Sequence, residues 1–309
     1  VYGWLAVNHL MGNLKQTGRL TSLSSVGALD LGGASVQIVF IPEKSIMSHA
    51  FNLRFTQRHI RVYSVSFLHY GEKEAAHLVS DIIISDALLK VQSVVQLEHP
   101  CFSKGYTYHP KFGYSSHRSF PIDVKMAGSS NYELCRHLLK RIIHKEVPCL
   151  LPSCSFYGVY QPHLYDSKFV AFSHFAQIAE YLALPEIASL ADLRVATEYV
   201  CSLSIEQLDT IFMRVKDKYN RVHLCFHSTY ILVLLHDGFG FPIESQNIRF
   251  RRRLGNGEQI DYAVGAMIYE VNQDPWLLMS AENASALAEA RDDGVPRQPE
   301  QSEQPLLLA

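Results

Sequence analysis

The stretch Ala28-Leu29-Asp30-Leu31-Gly32-Gly33-Ala34-Ser35-Val36-Gln37-Ile38-Val39 decides how this chain is read. Two runs suited to strands flank a double glycine, so it reads as strand, turn, strand. Adjacent glycines let the backbone turn tightly and bring its N–H groups against an anion with no Cβ in the way. Ser35 adds a hydroxyl donor for a phosphoryl oxygen. Asp30, at the end of a buried strand, offers a carboxylate to a divalent cation through the ion's water shell. Gln37 lies two residues past Ser35 on the same strand face, where its amide is suited to hold an attacking water. The same letters also describe an ordinary hairpin, with Gly-Gly as turn chemistry and Asp30 as an Asx-type acceptor. Alone, the motif does not separate the two.

Upstream, Trp4, Val7, Leu10, Met11 and Leu14 recur at spacings of three and four, which predicts a helix within 1–14. Downstream, residues 51–56 and 60–69 are rich in β-branched and aromatic types and read as strands. A helical pattern runs from Glu72 to about Gln92, with Ala75, Val79, Ile82 and Leu89 on one face. Residues 98–130 are aromatic and punctuated by Pro and Gly, without a sustained period, and read as loop or irregular β. Helices are expected near 131–145, 168–184, 229–236 and 259–271. Ser204-x-x-Gln207 is a capping box ahead of another. From about Ala281 the composition turns to Ala, Glu, Gln, Asp and Pro, and this tail reads as disordered. Interleaved strands and helices make the class α/β.

The 309 residues hold 48% hydrophobic and 19% charged types, enough to bury a sizeable core. A formal charge of -2 gives no global pull toward nucleic acid or anionic lipid. No apolar run approaches the roughly 18–20 residues of a membrane span. Neither a Gly-x-Ser-x-Gly elbow nor a Gly-Lys-Ser/Thr phosphate loop is present, which argues against serine hydrolases and P-loop enzymes. The chain opens at Val1 without Met or a signal-like segment and reads as a fragment or processed form. Its six cysteines form no CxxC, and spacing alone leaves 15 pairings open, beside free buried thiols. His223, Cys225 and His227 are close enough in sequence to be weighed as soft metal ligands. Arg249-Phe250-Arg251-Arg252-Arg253 is the one basic run; weighed against a contact with nucleic acid or anionic lipid, it reads as a solvated connection between elements, with attraction of an anion as a further option. Asn283-Ala284-Ser285 is the one glycosylation sequon.

DLGGASVQI (30–38) resembles the second phosphate-binding segment of the ecto-nucleoside triphosphate diphosphohydrolase, or apyrase, family. Other blocks resemble that family in its own order: VYGWLAVNHLMG (1–12), VYSVSFLHYG (62–71), HPCFSKGY (99–106), GSSNYELC (128–135), CSFYGVYQP (154–162), FVAFSHF (169–175), CFHSTYILVLLHDGFGF (225–241) and YAVGAMIYEVN (262–272). The resemblance covers roughly residues 1–275. It implies an actin-like, ribonuclease H-like lobe of a two-lobed nucleotide phosphatase, a mixed sheet flanked by helices. Residues 1–258 would form the second lobe, 259–276 a helix returning to the first, and 277–309 a disordered tail. The first lobe and the general-base Glu, two residues before Val1, would lie upstream, leaving the fragment itself inactive.

Carried residue by residue, the resemblance makes Asp30 the residue that holds Ca²⁺ or Mg²⁺ through water. Gly32, Gly33, Ala34, Ser35, Val36 and Gln37 become the phosphate-binding segment, and Asp30, Ser35 and Gln37 the catalytic set. The substrates implied are nucleoside tri- and diphosphates of the ATP, ADP and UDP class, with no nucleic acid. The resemblance pairs Cys101–Cys135, Cys149–Cys154 and Cys201–Cys225, which implies an extracytosolic location: cell surface, secretory-pathway lumen or secreted. Membrane anchoring of a full-length protein is compatible with it; the end of this chain, QPLLLA, is no anchor. Several positions depart from the pattern. His69 stands where a Cys is common, His174 and His227 replace small residues, a base-stacking Tyr would fall near Gln177, and a Trp is replaced by Tyr262. The alternatives are a truncated nucleotide-binding or interaction protein without catalysis, and a sugar-kinase or chaperone-type ATPase with reduced thiols. The helices of 1–14 and 259–272 are expected to expose faces that would pack on the missing lobe.

Overall fold

Side chains of a strand alternate between the two faces of its sheet, so a strand lined on both faces by apolar partners must lie between two layers. Strand β1, Gly27–Leu31, is such a strand: Ala28 joins one apolar cluster, and Leu29 and Leu31 the other. The computed structural model describes residues 1–15, 18–56, 58–88, 96–110, 124–255 and 257–273. The further expected helix residues 89–92, residues 111–123 of the irregular stretch, the 277–309 tail, the sequon and QPLLLA lie outside the described residues.

The remaining strands of the main sheet are β2 (Ser35–Phe40), β3 (Ala50–Phe55), β4 (Arg58–Leu68), β8 (Phe169–Ser173) and β9 (Ile248–Phe250), in the order β3-β4-β2-β1-β8-β9. β1, β2, β4 and β3 pair antiparallel, whereas β8 and β9 run parallel to β1. This is the expected α/β architecture: a mixed sheet with helices on both faces. A smaller sheet joins β5 (Gln96–His99), β6 (Thr107–Tyr108) and β7 (Lys125–Gly128), and a short ribbon pairs β10 (Arg253–Leu254) with β11 (Glu258–Gln259).

One face carries the larger core. Leu29, Leu31, Val36, Ile38 and Phe40 pack there with α2 (Glu72–Leu88), α3 (Tyr132–Ile142), α4 (His174–Tyr181), α5 (Leu190–Ser202), α6 (Ile205–Ile211) and α8 (Leu224–Leu232). The short α7, Lys218–Val222, leads into α8. Among the described residues, the opposite face is covered by the helices α1 (Tyr2–Leu10) and α9 (Tyr262–Gln273). Trp4, Leu5 and Val7 of α1 sit on Ala28, Val39, Val62, Val170 and Phe172. Gly265 lets α9 cross α1, because a Cβ there would lie 1.8 Å from the Tyr2 carbonyl oxygen.

Two capping boxes start helices: Ser189 with Asp192, and the expected Ser204 with Gln207. Elsewhere the elements differ from the sequence reading. The helix expected at 168–184 is strand β8 followed by α4. FVAFS lies between two parallel neighbours with both faces buried, and such a strand is a continuous apolar run that periodicity does not distinguish from a buried helix. The 229–236 helix begins earlier, at Leu224, and its last turn widens into a π-helical segment, Val233–Gly238. The helix expected from 259 starts at Tyr262, because Glu258 and Gln259 are drawn into a ribbon with Arg253 and Leu254. The exposed face expected on the first helix is absent, since Trp4 through Asn8 are buried between the sheet and α9. On α9, Tyr262 and Met267 are 61% and 68% exposed, as expected.

Three disulfides, Cys101–Cys135, Cys149–Cys154 and Cys201–Cys225, use all six cysteines. Loops of 34 and 24 residues each gain about 3.5 kcal/mol on the chain-entropy estimate, and the five-residue loop about 2 kcal/mol. All three lie outside the β1–β2 hairpin and leave its turn without a covalent brace.

Candidate active site

β1 and β2 pair so that Asp30 faces Gln37 and Leu31 faces Val36, and Gly32 N–H closes the turn on the Ser35 carbonyl at 3.0 Å. Alternation puts Asp30, Ser35 and Gln37 on the thinly covered α1/α9 face. There Gln37 Nε2 donates to Ser35 Oγ at 2.5 Å and to Ser66 Oγ, on neighbouring β4, at 3.3 Å. Asp30 and Gln37 line a pocket of about 180 Å³ with Val1 to Trp4, Phe172 and Tyr262. Burial pushes the Asp30 carboxyl above its ordinary value; a hydrogen bond from Ser173 partly offsets this. Val36, by the same alternation, is fully buried in the larger core, so only its backbone is available to a ligand.

The turn is held from behind. The carbonyls of Gly32, Gly33 and Ala34 accept from the N–H groups of Glu72, Lys73 and His69 at 2.9, 3.1 and 2.9 Å. A trans peptide points its N–H opposite its C=O, so the amides of Gly33, Ala34 and Ser35 point away from the start of α2. Neither Gly32 nor Gly33 has a positive φ, and a Cβ on either would meet nothing nearer than 3.5 Å. The tight bend expected from these two glycines is therefore not a left-handed one. Gly71 is the glycine that the packing demands, since a Cβ there would lie 2.3 Å from the Gly33 carbonyl and the Ala34 nitrogen.

A second pocket, of about 260 Å³, opens beside the same turn, lined by Gly32, Gly33, Glu72, Ser173, His174 and Gln177, with Arg252 at its edge. It lies where the carboxyl ends of parallel β1 and β8 meet, the usual ligand position in such sheets. Sequence reasoning missed Ser173 and Glu72. Ser173 ends β8 with φ 53° and ψ -127°, a strained conformation for a non-glycine residue at a strand-to-helix junction. No local spacing signals it. Glu72 is the first residue of α2, and its carboxylate Oε2 lies 3.2 Å from His227 Nε2. The His174 and His227 rings meet edge to face at 4.4 Å. Burial lowers both imidazoles, His174 to about 3, and raises the Glu72 carboxyl.

The trio weighed from sequence does not assemble: Cys225 is in a disulfide, and His223 donates through Nδ1 to the Tyr219 carbonyl at 2.8 Å. Gln177, at the expected stacking position, donates to Tyr181 Oη at 2.7 Å. The basic run is largely a paired surface strip, with Arg251 on Glu186 and Arg252 Nη1 3.5 Å from Glu180. Arg252 alone of the run reaches the glycine-lined pocket.

Residues 1–290 match the GDA1/CD39 (nucleoside phosphatase) family. Among curated relatives, the chain is 32% identical to ectonucleoside triphosphate diphosphohydrolase 1 of Bos taurus, over 89% of this chain and 56% of that protein. It is 29% identical to guanosine-diphosphatase of Saccharomyces cerevisiae, over 89% and 57%, and 27% identical to probable apyrase 4 of Arabidopsis thaliana, over 87% and 53%. The chain thus spans a little over half the length of these relatives. A crystal structure of nucleoside triphosphate hydrolases from Neospora caninum shares the fold at a TM-score of 0.59 and 15% identity, covering 88% of this chain and 63% of that one. The ordered blocks, the mixed sheet and the glycine turn at its carboxyl edge have one common source: the chain belongs to the GDA1/CD39 nucleoside phosphatase family.

Proposed function

We propose that this chain is the phosphate-binding lobe of an enzyme that hydrolyses nucleoside tri- and diphosphates by attack of water on the terminal phosphorus. The observation that carries this reading is the convergence of Asp30, Ser35 and Gln37 on one sheet face, directly beside a turn whose amides point away from its supporting helix. The N–H groups of Gly33, Ala34 and Ser35, with Ser35 Oγ, hold the terminal phosphate oxygens; the absence of a Cβ at 32 and 33 leaves room for them. Gln37 orients the lytic water through its amide, which Ser35 and Ser66 keep in one rotamer. Arg252 draws the polyphosphate toward the pocket.

The Asp30 site fits an oxygen-ligated cation: a half-buried carboxylate beside an amide, in a pocket large enough for waters. Asp30 would hold Ca²⁺ or Mg²⁺ through water, and the ion, when bound, supplies charge neutralisation for the phosphoryl oxygens. Asp30 would act as the hydrogen-bond acceptor for the ion's waters. The general base and the opposing phosphate loop are supplied by a first lobe upstream of Val1, against which the exposed face of α9 packs. The 309-residue chain alone is then inactive, since base assistance is worth about 10²–10⁴ in rate. Residues 1–258 form the second lobe and α9 returns to the first. The three disulfides and the relatives named for ecto-enzymes support an extracytosolic location.

The test restores the sequence before Val1 and follows phosphate release from ATP, ADP and UDP with Ca²⁺ or Mg²⁺. Metal-dependent release by the longer protein and none by residues 1–309 is expected. No release by the longer protein would sink the proposal.

A further inference from the structure

The glycine-lined pocket has a buried wall that the phosphate reading does not use. Glu72, His174 and His227 bring one ligand atom each within 4.8 Å of one another, from the start of α2, the start of α4 and the middle of α8. All three are more than nine-tenths buried. Yet Glu72 Oε2, His174 Nε2 and both ring nitrogens of His227 make no hydrogen bond. The 3.2 Å approach of Glu72 to His227 has ion-pair distance without hydrogen-bond alignment. A buried polar group left without a partner is costly, so three residues meeting at one point call for a common partner. His174 interacts with Gln177 and leaves its Nε2 without a hydrogen bond. An outer partner of this kind orients an imidazole ligand.

We propose that Glu72, His174 and His227 form a site for a divalent transition metal of the zinc class, separate from the cation held at Asp30. Two imidazoles and one carboxylate select Zn²⁺ or Co²⁺ over Ca²⁺ and Mg²⁺, which prefer all-oxygen shells. Zinc bonds of about 2.0–2.2 Å in a tetrahedron place ligand atoms roughly 3.3 Å apart, close to the Glu72–His227 distance. Three protein ligands would leave one position for water or a phosphate oxygen, and Glu72 and His174 line the same pocket as Gly32 and Gly33. The site does not rest on the hydrolysis reading.

The experiment titrates the 309-residue chain with Zn²⁺ by calorimetry and with Co²⁺ by visible absorption. One ion per chain is expected, with the intense d–d bands of a four-coordinate Co²⁺ site that Zn²⁺ bleaches, and no competition from Ca²⁺ or Mg²⁺. His174→Ala, on the pocket wall, and Glu72→Gln each weaken binding by ~100-fold or more, whereas Asp30→Asn leaves it unchanged. Circular dichroism checks that each variant is folded; should Glu72→Gln fail to fold, His174→Ala alone decides. Absent stoichiometric binding, or equal affinity in His174→Ala and the parent chain, overturns the site. Neither outcome bears on phosphate release by the longer protein, which tests the other reading.

Discussion

Two polar pockets flank the same hairpin turn, and they are built on opposite principles. On the α1/α9 side, Ser35, Gln37 and Ser66 satisfy one another, and Asp30 is supported by Ser173. On the α2/α4/α8 side, Glu72, His174 and His227 touch without hydrogen bonding, deep in the wall. That set lacks its partner. The sheet explains the division: β1 sends Asp30 to the face covered by α1 and α9 and Leu31 to the face that carries the larger core, so only the second pocket backs onto that core.

The comparison breaks most sharply at Asp30 and Ser35. In the protein restored upstream of Val1, Asp30→Asn or Ser35→Ala lowers the rate of phosphate release by about 10²–10³-fold, as loss of one preorganised charge-stabilising group does elsewhere. Asp30→Asn also stabilises the fold near pH 7, because a carboxyl raised by burial destabilises the folded state wherever it is ionised. Steady-state rates and chemical denaturation check both halves. A slower enzyme that is no more stable would mean the Asp30 charge is not strained.

On the other side, His227→Ala leaves Glu72 buried without its contact and opens a cavity, with an expected loss of about 3 kcal/mol in urea unfolding of the metal-free chain. The double change Glu72→Leu, His227→Leu recovers most of that loss, since apolar pairs often replace buried polar ones without penalty. Additive losses in the double variant would show that the pair is not coupled.

The turn between the pockets gives a finer contrast. Gly71→Ala drives a Cβ into the Gly33–Ala34 backbone and costs about 1–3 kcal/mol. Gly33→Ala, with its nearest neighbour the flexible Lys73 chain at 3.5 Å, leaves unfolding unchanged and weakens phosphate binding. Thermal melts with and without a non-hydrolysable nucleotide separate the two effects.

The smallest effect is a pH slope. His99 and His174 sit at about 3 when folded, both lowered first by burial. A histidine whose folded pKa lies below its unfolded value binds fewer protons folded than unfolded. Its contribution is full above about pH 6.5 and is lost as pH falls toward 3, by up to ~1.4 kcal/mol per unit for each histidine. The raised Glu72 and Asp30 carboxyls act in the opposite sense, losing stability as pH rises through their folded values. Denaturation midpoints between pH 4 and 7 that rise less in His99→Phe than in the parent chain would fit; a flat parent profile would contradict the burial.

Much of the first pocket was legible because its chemistry is local. Asp30, Ser35 and Gln37 lie within eight residues, and period-two alternation alone puts them on one face. The capping box at Ser204 was legible for the same reason. Strand β8 was not: in a parallel sheet buried on both faces it carries no alternation, so it merged with the helix that follows. Ser173 was lost with it, since its strained backbone exists only at that junction.

The second pocket illustrates the complementary limit. Glu72, His174 and His227 are separated by 102 and 53 positions, and no spacing rule connects them. They meet because α2, α4 and α8 pack on one sheet face and begin or pass near the carboxyl ends of β1 and β8. By itself, then, the sequence determined the α/β class, the hairpin with its acid, hydroxyl and amide, and the family resemblance, all of which depend on short-range periodicity or ordered blocks. Only the tertiary structure decided that α1 is roofed over, that Gly71 is the glycine packing requires, and that a carboxylate and two imidazoles share one buried point, because long-range packing brings distant side chains together irrespective of their order in the chain.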